Sequence, residues 1–305
     1  MARNSLDRLI PFLHLGAQQV GRELVGAIPA VTMDMTAASA AYNQEVRVPV
    51  TPKATPRVVE IGTKPDVSGV NFGDVVVKMD KMYAVQFKWD GEEERGLGAA
   101  TAGVKNNQMM QAFRSLANQI EADLVKEAVN GATGGNVGVA GTTPFGQNDM
   151  RDFAALVKVF NDNGSPMYDR QLILNTTAAA ALRNKPNLFK ANEGGETGLL
   201  RQGVFANIMG FSIRESGGFA QVTLGGVDTL PSVAFTRDAL ILATRSIEMP
   251  ESGDESTDNT VVTDAVSGLT FGVAYYPGYK TGFVELSVLY GVKTVNPQNA
   301  VVLLG

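Results

Sequence analysis

Between about Lys105 and Asn130 apolar residues return every three or four positions, at Phe113, Leu116, Ala117, Ile120, Leu124 and Ala128. That spacing places them on one face of an α-helix, and Asn130-Gly131 supplies a left-handed stop. At 1.5 Å per residue such a helix is roughly 39 Å long, enough to cross a whole domain. Whatever else the chain forms must therefore be built along this element. The Gly-rich segment 131–141 that follows changes the composition abruptly and is expected to act as a hinge between two units.

Upstream of the helix the period changes to two. Val46, Val48 and Val50 fall on one side of a strand, a run rich in Pro, Lys, Asp and Gly ends near Asp74, and a return strand is expected from Val75 to Trp89. There Tyr83, Val85, Phe87 and Trp89 alternate with Ala84, Gln86 and Lys88, so that strand has one buried face. Together these residues read as a long hairpin arm, followed by a charged turn from Asp90 to Arg95. Before the arm, Leu6, Leu9, Ile10, Leu13, Ala17, Val20 and Leu24 mark an amphipathic helix with a kink at Pro11.

Downstream, Asn148 or Asp149 is expected to cap a helix whose stripe is Phe153, Leu156, Val157 and Phe160 and which stops at Asn161-Asp162-Asn163-Gly164. A strand at Gln171–Leu174 leads to Thr176 or Thr177, the expected cap of an Ala-rich helix ending near Asn184. Residues 233–249 read as strands and 251–258 as an acidic surface loop. The C-terminal residues read as hairpins: Leu269–Tyr276, a Pro277-Gly278 turn, Phe283–Tyr290, and a closing strand at Ala300–Leu304. The architecture expected is mixed α+β, with no repeat of solenoid length.

The composition narrows the function by exclusion. The chain has 305 residues, 44% of them hydrophobic and only 19% charged, which favours extensive buried contact surfaces. A net charge of −5 argues against a general nucleic-acid binder held by phosphate contacts. There is no Cys, so thiol nucleophiles, disulfides and Cys-ligated zinc are out, and a reducing compartment fits. The single histidine, His14, lies on the apolar N-terminal helix and reads as packing or surface. No Gly-x-Ser-x-Gly elbow occurs, and Gly96-x-Gly98 and the 131–141 glycines lack the endings and spacing of phosphate loops. Glu251, Asp254, Glu255 and Asp258 match no calcium-loop pattern and read as solvated, and no uncharged stretch is long and apolar enough to span a membrane. No catalytic, cofactor or metal site is expected.

Three stretches give the order of elements a family likeness. Asn161-Asp162-Asn163-Gly164-Ser165-Pro166 is followed by Asp169-Arg170-Gln171-Leu172-Ile173-Leu174 and the Ala-rich helix. Leu200-Arg201-Gln202-Gly203 leads to Gly210-Phe211 and Glu215-Ser216. Phe235-Thr236-Arg237-Asp238-Ala239, Leu289-Tyr290-Gly291-Val292-Lys293, Asn296-Pro297 and Val301-Val302 close the series. In this order the chain resembles the tailed-phage major capsid proteins of the Hong-Kong-ninety-seven-like fold, near their podovirus-type coat-protein branch, and it lacks room for the inserted domain of that branch's longer members.

The resemblance implies an N-terminal arm (1–45), an extended loop hairpin (46–90), a peripheral domain (91–145 and 251–305) containing the spine helix at 105–130, and an axial domain (146–250). It implies a subunit that self-assembles into hexamers and pentamers of an icosahedral virion shell around double-stranded DNA, built in the host cytoplasm. A scaffolding protein, a portal and a decoration protein are partners of such shells. Met1 at the start of the sequence leads to the expectation of no N-terminal processing and of a separate scaffolding protein. A long hairpin cannot bury itself, so 51–74 is expected on a neighbouring copy. Its candidate contacts are Lys53, Arg57, Glu60, Lys64, Asp66 and Phe72, and the turn Glu92, Glu93, Glu94 and Arg95 is a candidate contact between capsomers. Ion pairs there would contribute about 0 to 1 kcal/mol each, so apolar residues such as Val58, Val59, Ile61 and Val70 should matter more. The alternatives are an encapsulin-like compartment of the same fold and an α+β enzyme.

Overall fold

A computed structural model of the chain describes residues 26–34, 40–50, 58, 61–62, 73–97, 101–146, 150–185, 207–224, 226–248, 258–264 and 268–305. The strands are β1 (Thr32–Asp34), β2 (Glu45–Val50), β3 (Gly73–Lys78), β4 (Lys81–Asp90), β5 (Asn136–Gly138), β6 (Arg170–Leu174), β7 (Asn207–Ile208) and β8 (Phe211–Glu215), then β9 (Val222–Leu224), β10 (Val227–Thr229), β11 (Ser232–Thr236), β12 (Leu240–Arg245), β13 (Asp258–Thr263), β14 (Thr270–Gly278), β15 (Thr281–Thr294) and β16 (Ala300–Leu304). The helices are α1 (Gly91–Leu97), α2 (Thr101–Gly131), α3 (Arg151–Asp162) and α4 (Thr176–Arg183).

The expected long helix is α2, and every residue of its stripe is buried. Met109, Ala112 and Val125 widen the stripe, and all nine side chains enter one core. That core covers one face of a six-stranded sheet in the order β1-β12-β15-β14-β13, with β4 also paired to β15. Alternate residues of β15, Val284, Leu286, Val288 and Tyr290, point at α2, and Phe113 meets Phe271 edge to face at 5.2 Å. Each fully buried side chain of this size contributes about 1.5–3 kcal/mol.

A second sheet runs β5-β16-β11-β6-β8-β7. Its two central strands, β6 and β11, are buried at every position, because one face meets the α2 core through Ile173, Val233 and Phe235 while the other meets α3 and α4 through Leu172, Leu174 and Ala234. A strand covered on both faces reads as a continuous apolar run, which is how Leu172-Ile173-Leu174 appears in the sequence. α3 contributes Phe153, Leu156 and Phe160, with Val157 only half-buried, and stops at Gly164 with φ 70°.

Several local expectations change. The return strand is not one element: β3 pairs with β2, the chain breaks at Met79-Asp80, and β4 pairs instead with β15 some two hundred residues away. The charged turn after it is the short helix α1. Gly131 ends α2 without a positive φ; its glycine is required because a Cβ there would stand 2.2 Å from Thr294 Oγ1. The 131–141 segment contributes β5, an edge strand parallel to β16, with Gly135, Gly138 and Gly141 at positive φ to shape it. α4 is capped by Asn175, whose side chain accepts from the N–H of Ala178, rather than by either threonine. The last hairpin turns at Tyr279-Lys280, leaving Pro277 and Gly278 inside β14.

The two sheets also exchange strands across the expected 145 and 250 boundaries. β5 and β16 lie in the same sheet as β6, β8 and β11, while β12 pairs with β15. The N-terminal helix with His14, the caps Asn148 and Asp149, the motif at 200–203 and the acids Glu251, Asp254 and Glu255 lie outside the described residues; Asp258 opens β13. No described helix is long and apolar enough to cross a membrane.

Candidate assembly surfaces

The β2–β3 hairpin pairs in register from Glu45 with Lys78 to Val50 with Gly73. Val46, Val48, Val50, Val75 and Val77 share one face and pack on Ala40, Met79, Ile241, Ala243, Leu289 and Val295, so the hairpin's base is fixed to the back of the first sheet. The ladder is extended by the Asn43 N–H donating to the Met79 carbonyl at 2.8 Å. Beyond the base the support ends: Val58 is 95% and Ile61 107% exposed. Lys53, Arg57, Glu60, Lys64, Asp66 and Phe72, with Val59 and Val70, lie outside the described residues.

Glu92, Glu93, Glu94 and Arg95 are brought together on α1, all exposed. Two of the carboxylates have work inside the chain. Glu93 Oε2 accepts the Asp90 N–H at 3.2 Å, and Glu94 pairs with Lys105. The Lys105 ammonium sits 4.7 Å above the Trp89 ring, whose indole N–H donates to Gln108 at 2.6 Å. Trp89 is therefore a buried brace between β4 and α2, as its place on a strand's core face led one to expect.

The acids of α2 are all buried or half-buried and all have partners. Glu121, 2% exposed, accepts the N–H groups of Gly26 (2.9 Å), Ala27 (2.7 Å) and Ile28 (3.0 Å) and the Ser216 hydroxyl (2.6 Å). This clamps the chain at 26–28 to α2 and to the end of β8. Burial pushes its carboxyl up, against the four donors that favour the anion. Its signal in the sequence was a carboxylate inside the stripe, four residues after Ala117 and three before Leu124. Asp123 accepts from the Tyr290 hydroxyl at 2.7 Å and pairs with Lys81 at 3.0 Å. Burial pushes the Asp123 carboxyl up, but those two donors outweigh it and hold the group below its ordinary range, while burial and the Asp123 carboxylate push Tyr290 up. Glu127 pairs with Lys293 at 3.5 Å.

The exposed strip of α2 consequently carries no carboxylate. Asn107, Gln111, Arg114, Ser115, Asn118, Lys126 and Asn130 form it, and a shallow open groove of about 380 Å³ lies along Gln111, Arg114, Ser115, Asn118 and Gln119. Among the described residues no group of three or more metal-ligating side chains occurs.

Solved structures resemble the chain over most of its length. A structure from Mycobacterium phage Che8 superposes with a TM-score of 0.61 at 17% identity, over 90% of this chain and 89% of that one. The capsid of the cyanophage P-SCSP1u gives 0.62 at 12% identity, over 90% and 86%. This chain has the phage-capsid fold. It is the mixed α+β, Hong-Kong-ninety-seven-like architecture, with α2 as its spine helix. A virus-like particle from Pyrococcus furiosus shares that fold with a TM-score of 0.53 at 13% identity, over 95% and 97%. No family model matches the sequence, and no curated protein matches it by sequence.

Proposed function

We propose that the chain is the major capsid protein of a tailed bacteriophage, a structural subunit without catalytic activity that forms the hexamers and pentamers of an icosahedral shell around double-stranded DNA. The observation that carries this reading is the likeness to phage capsid structures over nine-tenths of the chain. In this reading the extended loop lies on a neighbouring copy, with Lys53, Arg57, Glu60, Lys64, Asp66 and Phe72 in the contact, and the fully exposed Val58 and Ile61 support it. Residues 1–45 hold the N-terminal arm, 46–90 the extended loop followed by β4 of the first sheet, 91–145 with 251–305 most of the peripheral domain and 146–250 most of the axial domain, with β5, β12 and β16 paired across those bounds.

Many weak contacts then act together, since each copy engages several neighbours at once. The Glu92–Arg95 segment belongs to a contact between capsomers. Packaged DNA is touched without sequence preference, and the carboxylate-free strip of α2 suits it: amides, a hydroxyl, Arg114 and Lys126 are the groups that meet phosphates. A scaffolding protein and a portal take part in assembly in the host cytoplasm, and a decoration protein can bind the finished shell. The second reading is an encapsulin-like compartment that encloses a protein cargo, supported by the likeness to the Pyrococcus furiosus particle.

The test is negative-stain electron microscopy with sedimentation on the chain expressed alone and with a candidate scaffolding protein. Closed shells or hexameric sheets are expected. Only small particles under both conditions would sink the shell reading. Packaged DNA against a co-purifying protein cargo separates the two shell readings.

A further inference from the structure

The N-terminus of α1 and the β14–β15 turn form one corner of the molecule. The Gly91 N–H donates to the Lys280 carbonyl at 3.3 Å, and Asp90 pairs with Thr281 at the end of the β4–β15 ladder. At this corner Tyr279 is 88% exposed. Lys280 stands at φ 57°, a left-handed backbone that costs a non-glycine residue energy, and its ammonium lies 5.4 Å from the Tyr279 ring centre. Beside it, Glu92 and Arg95 are exposed and form no ion pair among the described residues, although Arg95 stands one helical turn from Glu92.

A corner that holds both signs of charge, unpaired among the described residues, around an exposed aromatic ring is complementary to itself. Rotation about a nearby axis brings the cations of one copy against the acids of the next, and every copy then makes the same contact. Tyr and Arg are the residues that most often anchor interfaces between proteins. Neither segment alone provides this: α1 supplies the acids, the hairpin turn supplies the ring and the ammonium, and the β4–β15 ladder holds the two together.

We propose that Glu92, Arg95, Tyr279 and Lys280 form a contact between copies of this chain related by a rotation axis, in which Lys280 of one copy pairs with Glu92 of the next and Tyr279 is the apolar anchor. The inference rests on the shell reading and adds the counterpart that the Glu92–Arg95 segment needs.

Charge reversal tests it. Lys280→Glu and Glu92→Lys are made singly and together, with Tyr279→Ala as a separate variant, and the assembled fraction of the full chain is followed by sedimentation and electron microscopy. All four side chains are exposed, so the thermal melt of the unassembled subunit should match wild type and folding is separated from assembly. Each single reversal is expected to raise the protein concentration needed for assembly at least about tenfold, because like charges then meet across the axis, and Tyr279→Ala should raise it too. The double reversal should restore assembly. Wild-type assembly by all variants would overturn the corner contact and leave the shell reading standing, as would a double variant that assembles no better than the singles. A wild-type chain that forms no shells even with a scaffolding protein would overturn the shell reading and this contact with it.

Discussion

β15 and the β2–β3 hairpin are both antiparallel, both rich in Val and both alternating in sequence, yet they serve different ends. β15 has partners on both edges, and its α2-facing residues from Val284 to Tyr290 are at most 1% exposed. In the hairpin β2 is paired only to β3 among the described residues; its valines are half-buried at the base, and Val58 and Ile61 stand in water further out. One strand finds its cover within the chain. The other carries apolar residues that stay exposed, the kind of surface that the proposed neighbouring copy would cover.

The largest test of this contrast is Phe113→Ala beside Val48→Ala. Phe113 is fully buried against Phe271, so its truncation should lower the unfolding free energy of the unassembled subunit by about 3–5 kcal/mol in urea. Val48, half-buried on the hairpin face, should cost about 1 kcal/mol or less. Equal losses would mean that the hairpin is part of the fold's own core.

Next in size is Glu121→Gln. The amide keeps one acceptor oxygen but turns its NH2 toward donors, leaving a buried N–H or the Ser216 hydroxyl without a partner, at a cost of about 1–3 kcal/mol. Hydrogen exchange should speed up most at Gly26, Ala27 and Ile28. Unchanged exchange there would show that the clamp does not hold the segment.

The contrast between these regions also explains what was legible in the sequence. α2 was readable because a 3.6-residue period sustained from Met109 to Ala128 has no strand-like alternative, and β6 because a short apolar run between turn residues fits a strand covered on both faces. The break at Met79-Asp80 was not readable: neither Gly nor Pro marks it, and the reason β4 leaves the hairpin is its ladder with β15, which no local pattern encodes. The same holds for β5, β12 and β16, whose sheet is decided by partners far along the chain. Asn175 is a different case. Its rank as a cap equals that of Ser or Asp, and its selection over Thr176 follows from the amide also donating to the Leu230 and Pro231 carbonyls at 2.7 and 3.1 Å. Of the residues proposed to meet a neighbouring copy, the sequence offered the Glu92–Arg95 charges but not Tyr279, because the expected turn at Pro277-Gly278 placed that tyrosine past the turn rather than in it.

A smaller effect separates the buried Glu121 from the half-buried Asp123 by pH. Asp123 has its carboxyl held down by Tyr290 and Lys81, so the folded state binds fewer protons than the unfolded one around the ordinary aspartate range; this stability is present above that range and is lost as pH falls through it. Glu121, pushed up by burial, has the opposite sign, and its contribution declines as pH rises through the glutamate range. Asp123→Asn should therefore flatten the acid limb of the melting temperature against pH below about pH 4, while the neutral-pH value falls only slightly because the amide oxygen still accepts from Tyr290. An acid limb as steep as wild type would show that other carboxylates set it.

The smallest effect on the fold should accompany the largest on assembly, in the double variant Val58→Asp with Ile61→Asp. Both side chains are already in water, so replacing them removes no buried apolar surface and leaves the melt and urea midpoint of the unassembled subunit unchanged. If a neighbouring copy covers them in the shell, the substitution places two carboxylates where apolar contact is required, and burying an unpaired charge opposes association. Sedimentation should then show a folded subunit that no longer forms shells. Shells of wild-type yield would locate Val58 and Ile61 in solvent in the assembled state. The base valines, with their half-buried face on Ile241, Ala243 and Leu289, would then account for the hairpin's apolar pattern without a neighbour.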